Sequence, residues 1–167
     1  MIFQFMDNSK KKKFISGFEN FGIDKVPESL VKWGSERVRA YTGDLTKEDI
    51  AALVDIVPVE GIGLYVGKDS IDKKNGNHEY RLSLDSVHLW KDKIKFNILT
   101  LNEEQEKKWF LGNDVTIDEQ QKNNLKGFVV IKSKEDGDFI GVGKVGNENI
   151  LYNFLPKERR VKVSVIN

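Results

Sequence analysis

Gly127-Phe128-Val129-Val130-Ile131-Lys132, Phe139-Ile140-Gly141-Val142-Gly143-Lys144-Val145 and Ile150-Leu151-Tyr152-Asn153-Phe154 are the stretches that decide the fold. Each is short, rich in β-branched and aromatic residues, and bounded by turn formers, which is the pattern of a strand. Glu135-Asp136-Gly137-Asp138 joins the first two, and its Asp-Gly pair is a strong hairpin signal. Gly146-Asn147-Glu148-Asn149 turns the chain again. A last strand is expected over Arg160 to Ile166. Closely spaced strands of this kind, accompanied by one helix, indicate a small barrel or curled sheet.

Working outward, Ile94 to Leu101 reads as the strand that opens this half. Asn102 is placed to cap a helix over Glu103 to Leu111, with Trp109 as its apolar anchor and Gly112 as its stop. The residues before it have a different character. Ser9 to Phe21 carries Phe14, Ile15, Phe18 and Phe21 at helical spacing, with Asn8 or Ser9 as cap and Gly22 as terminator. This stripe reads as core rather than as a stacking surface. Pro27 predicts the first residue of a short helix through Trp33, ended by Gly34. Arg37 to Tyr41 alternates like a half-buried strand. Thr46 with Asp49 forms a capping-box pattern ahead of Ile50, Leu53 and Val54. Ile56 to Val66 is β-rich, with a bend at Gly61 and Gly63. Asp69 to His78 is expected to be a loop, Tyr80 to Leu84 a strand, and Asp85 the cap of one helical turn reaching Leu89 and Trp90. The expected fold is α+β, with a mixed α/β unit over residues 1–92 and a barrel over 93–167.

Composition excludes several function classes. The 167 residues contain no cysteine, which removes disulfides, thiolate metal sites and thiol nucleophiles together. That suits a reducing cytoplasm, the expected location. No apolar run approaches the roughly 20 residues of a membrane span, and the lysines near the start follow Met1 to Met6 instead of preceding it. The two histidines, His78 and His88, stand in no metal-ligand spacing. No serine elbow and no phosphate-binding P-loop is present. Gly141-Val142-Gly143-Lys144-Val145-Gly146 matches the dinucleotide fingerprint in letters, but a turn and a strand follow it where a helix is required. Its glycines fit a close approach between packed elements better. No catalytic residue, metal site or cofactor is expected.

Net charge is only +1, so any nucleic-acid surface must come from clustering. Lys10 to Lys13 forms one cluster, on a helix whose outer face is wet in any case. Lys157, Arg159, Arg160 and Lys162 form a second, and its adjacent arginines suit bidentate phosphate contact.

Leu101-Asn102-Glu103-Glu104-Gln105, Trp109-Phe110-Leu111-Gly112, Gly127-Phe128-Val129-Val130, Ile140-Gly141-Val142-Gly143-Lys144 and, above all, Leu151-Tyr152-Asn153-Phe154-Leu155-Pro156-Lys157-Glu158-Arg159-Arg160 resemble the PUA-like RNA-binding domain of Sun-type RNA cytosine-5 methyltransferases. Gly63 to Lys68 and Tyr80 to Asp85 resemble the segment that precedes that barrel. Residues before about Ile56 carry no resemblance. The methyltransferases bind S-adenosylmethionine in a separate domain and use cysteines for catalysis, and this chain has neither. The resemblance therefore implies a stand-alone, non-catalytic PUA-like protein that contacts structured tRNA or rRNA in RNA modification or ribosome assembly. Two alternatives remain open: a subunit that docks on a separate RNA methyltransferase, and an enzyme with an unrecognised pocket. The RNA-facing candidates are Lys144, Asn153, Lys157, Arg159, Arg160 and Arg81. Lys144 equally suits a solvated strand position, and Asn153 suits a turn or barrel closure rather better than base reading.

Overall fold

The computed structural model describes residues 3–162. The chain is α+β and divides into two compact units, Met1–Leu89 and Trp90–Asn167.

The first unit is built on one five-stranded antiparallel sheet in chain order: β1 (Phe3–Phe5), β2 (Ser29–Trp33), β3 (Arg37–Tyr41), β4 (Leu64–Ile71) and β5 (His78–Leu82). Period-two alternation sorts β3 into a buried Val38 and Ala40 and an opposite row of Arg37, Arg39 and Tyr41. Helix α1 (Asn8–Ser16) supplies the core side with Phe14 and Ile15. The Phe14 ring meets Phe18 edge-on at 5.1 Å and Tyr80 of β5 at 5.9 Å. Helix α2 (Lys47–Ile56) begins with the capping box that the sequence predicts: Thr46 Oγ1 accepts from the Asp49 amide, and Asp49 accepts from the Thr46 amide and hydroxyl. Those bonds to its charged form hold the Asp49 carboxyl below its ordinary range. Helix α3 (Leu84–Leu89) closes the unit.

Several local expectations are corrected here. Residues 27–33 do not form a helix, because Ser29–Trp33 is the strand β2, paired on both edges. Proline at a helix start is a weak local signal, and pairing with β1 and β3 overrides it. Gly34, at φ +67°, opens the tight turn into β3. The cap of α1 is Asp7, which accepts from the Lys10 amide at 2.8 Å, so Asn8 and Ser9 fall inside the helix. That helix stops at Ser16, and a separate 3-10 turn over Glu19–Phe21 carries the stripe on to Phe21. Ser83, not Asp85, caps α3, accepting from the Ser86 amide at 3.0 Å. The expected loop Asp69 to His78 shrinks because β4 and β5 continue pairing out to Ile71 and His78. Ile56 ends α2, and the strand of the Ile56 to Val66 stretch begins only at Leu64.

The second unit holds the sheet β6 (Ile98–Leu101), β8 (Gly127–Ser133), β9 (Phe139–Val145), β10 (Ile150–Asn153) and β7 (Val115–Thr116), in that spatial order. The β6–β8 pair is parallel and the others are antiparallel. Helix α4 (Glu103–Phe110) connects β6 to β7, and the short α5 (Glu119–Lys122) follows. The sequence predicts no element between Gly112 and Gly127. A two-residue strand and a one-turn helix are too short to leave a period. Of the strand expected over Arg160 to Ile166, residues 160–162 are not strand and the rest lie outside the described residues.

Edge strands β6 and β7 are tied by two glutamines. Gln105 Nε2 donates to the Thr116 carbonyl of β7, and Gln121 Nε2 donates to the Thr100 carbonyl of β6, both at 2.9 Å. The two side-chain amides also bond each other reciprocally, at 2.9 and 2.7 Å. Each oxygen additionally completes the capping box of its own helix, from Asn102 and Asp118. The clasp bends the open sheet toward a barrel without a strand pair at the seam. Because the amides share partners, a Gln105→Leu and Gln121→Leu double-mutant cycle should show a coupling of about 1 kcal/mol in urea unfolding. Additive losses would mean that the bridge contributes nothing.

Candidate nucleic-acid interface

The inside of the second sheet explains its outside. Trp109 is fully buried, and its indole Nε1–H donates to the Ile140 carbonyl at 3.2 Å. A Cβ on Gly141 would lie 2.7 Å from the Trp109 ring, and one on Gly143 would lie 3.2 Å from it. The Gly141 and Gly143 pair of the dinucleotide-like motif is therefore the bed of a tryptophan. Val129, Ile131 and Leu151 line the same interior and are buried.

With those residues facing inward, register places Phe128, Lys144 and Tyr152 side by side on the opposite face of β8, β9 and β10. Lys144 Nζ sits 4.9 Å from the centroid of the Phe128 ring, a cation–π geometry. Phe154 meets Phe128 edge-on at 5.4 Å. Tyr152 and Phe154 are 45% and 36% exposed, so this row of rings stays open to solvent. The Tyr152 ring lies over Gly146, where any side chain would collide with it. Lys144 is a candidate from the sequence, whereas none of these aromatic partners is. The signal was present: alternation in Ile150 to Phe154 puts Tyr152 and Phe154 on the face opposite Leu151.

The candidates of the last segment separate into two kinds. Lys157 and Arg159 are exposed in a 3-10 turn, Lys157–Arg159, that follows Pro156. Arg160 is half-buried: its Nε donates to the Leu155 carbonyl at 3.0 Å. Its side chain crosses Gly112, which ends α4 at φ +84° and has no room for a Cβ beside that arm. The Val161 amide reaches back to the Phe110 carbonyl at 2.8 Å, so the whole segment is sewn to the end of α4.

Asn153 does the same from β10. Its Nδ2 donates to the carbonyls of Trp109 and Asn113 at 2.8 and 2.9 Å, and its Oδ1 accepts from the Leu155 amide at 2.8 Å. Its backbone amide donates to Asp114 Oδ1. The side chain thus joins the helix end to the strand and to the turn that carries the cations.

Arg81 lies in the first unit, on β5. His78 opens β5, where its Nδ1 meets Asp69 Oδ1 at 2.5 Å and its ring stacks on Tyr80 at 5.7 Å. Burial, and secondarily the Asp69 charge, push the Tyr80 hydroxyl above its ordinary range. Of the lysine run, Lys11 donates to the Glu28 carbonyl, while Lys10, Lys12 and Lys13 are exposed. Among the described residues, no group of three His, Asp or Glu side chains is placed to hold a metal ion, and no helix is long and apolar enough to cross a membrane. No protein-family model and no curated protein matches the chain.

Proposed function

We propose that this protein is a non-catalytic RNA-binding module of PUA-like architecture, acting in the cytoplasm on structured tRNA or rRNA. The observation that carries the reading is the row Phe128–Lys144–Tyr152 with Phe154, in which Tyr152 and Phe154 are exposed and Phe128 and Lys144 partly so, continued along the chain by the basic turn at Lys157 and Arg159. Aromatic faces stack on unpaired bases, and exposed cations neutralise phosphates. Neither task needs a tuned pKa or a bound metal. Asn153, Arg160 and Gly112 act as positioning residues that hold the turn against the end of α4.

The test is a salt titration with a structured RNA. Removing two phosphate contacts with Lys157→Ala and Arg159→Ala should reduce the slope of log affinity against log salt by about 1.8 and weaken binding across RNA sequences alike. Both residues are exposed, so unfolding free energy should stay within about 0.5 kcal/mol of wild type. Unchanged RNA affinity and slope in the double variant would remove the turn from the interface. Absence of RNA binding, together with co-purification with a methyltransferase, would replace the reading with that of a docking subunit.

A further inference from the structure

The first unit carries a second surface with a different arrangement. Phe3 pairs with Trp33, Trp33 with Arg37, Arg37 with Lys68, and Lys68 with Arg81. Directly opposed residues in antiparallel strands share a face, so these five side chains form one continuous row across all five strands. The row lies on the face opposite Val38, Leu82 and the α1 core. Phe14 packs against that other face, on Gly67, which pairs with both Val38 and Leu82. At its β1 end the Phe3 and Trp33 rings stack, with centroids 5.5 Å apart and planes at 22°. At its β5 end stand three cations on three successive strands. Arg37 is exposed, and Trp33, Lys68 and Arg81 are partly so. Glu36 pairs with Lys68 at 2.8 Å. That hydrogen bond, and then the charges around it, hold the Glu36 carboxyl below its ordinary range.

We propose that this row is a binding strip for a short single-stranded RNA segment, distinct from the interface on the second unit. The inference extends the RNA-binding reading of the protein but rests on separate residues. Neighbouring strands lie about 4.8 Å apart, so Arg37 to Arg81 spans roughly 10 Å. A stacked strand advances about 3.4 Å per phosphate, which matches three cations to about three phosphates. The Phe3–Trp33 stack at the end of the cations is where an unpaired base extends a stack already begun. A duplex offers no unpaired face to those rings, so the strip selects single strands. Glu36 beside Lys68, and Glu79 on the same face of β5 as Arg81, oppose two of the three cations, and the strip stays net positive.

The experiment uses the full chain, a short oligouridylate and an unrelated structured RNA hairpin. Binding of the oligonucleotide is read by anisotropy and by quenching of tryptophan fluorescence. Trp33 is the partly exposed tryptophan, whereas Trp90 and Trp109 are buried. The expected result is salt-sensitive oligonucleotide binding that quenches emission. Arg37→Gln with Arg81→Gln should lower its salt slope by about 1.4, and Lys157→Ala with Arg159→Ala should leave it unchanged. Arg37→Glu provides a variant that keeps the fold, since its carboxylate faces Lys68 across the strand pair. It should abolish oligonucleotide binding without shifting the melting curve. If the hairpin binds and the oligonucleotide does not, or if only the Lys157 and Arg159 variant weakens the oligonucleotide, the strip is overturned while the RNA reading stands. If the oligonucleotide binds through Arg37 and the hairpin is ignored, the strip stands and the structured-RNA reading fails. Failure to bind either RNA overturns both.

Discussion

Replacing Trp109 by alanine will cost the second unit about 3–5 kcal/mol, the range for emptying a buried aromatic site. Trp109 is 0% exposed, and its ring rests on backbone that has no side chains of its own at Gly141 and Gly143. β9 itself has no side chain there to swing in, so the cavity will collapse poorly on that side, which is the condition for a loss at the upper end. The Ile140 carbonyl also loses its indole donor. The reverse substitution tests the same contact. Gly141→Ala puts a methyl 2.7 Å from the ring, and overpacking of this kind typically costs about 1–3 kcal/mol. In the Trp109→Ala background the collision part of that penalty should vanish, leaving only the backbone cost of an alanine at φ +159°. Urea unfolding of the four proteins measures the cycle. Equal costs of Gly141→Ala in both backgrounds would mean that the glycine is required for something other than the tryptophan.

Asn153→Ala is expected to lower stability by about 2–4 kcal/mol, because three side-chain hydrogen bonds of roughly 0.5–1.5 kcal/mol each are lost together. The bonds join Asn153 to Trp109, Asn113 and Leu155, residues 44, 40 and 2 positions away. Asn153→Asp separates a structural from a recognition role. It keeps the acceptor for the Leu155 amide but removes both donors and turns a carboxylate oxygen toward two carbonyl oxygens. It should therefore be as damaging as alanine, or worse, despite being nearly isosteric. A residue that reads bases would behave differently: Asn153→Ala would melt like wild type and bind RNA more weakly. That outcome, in melting and RNA titration run side by side, would return Asn153 to the interface.

The strand-turn-strand chemistry of Gly127 to Phe154 was legible locally. Asp-Gly at 136–137 and the alternation around it specify a hairpin wherever they occur, and β9 begins and ends where the pattern does, at Phe139 and Val145. The capping box at Thr46 and the cap at Asn102 were equally readable, because each is made within three positions of the chain. The lack of cysteine likewise excludes thiol chemistry before any fold is known. What it could not determine depends on partners distant along the chain. Ser29–Trp33 is a strand because β1 and β3 flank it, against a local pattern that suited a helix. The glycines at 141 and 143 acquire a meaning only when Trp109 lies across them. Nothing local links Gln105 to Gln121, which meet only when β6 and β7 approach each other. Lys144 gains Phe128 and Tyr152 as neighbours, and Arg81 gains Lys68 and Arg37, only through cross-strand register. Register is a property of the folded sheet: a slip of one residue would move every one of these side chains to the opposite face.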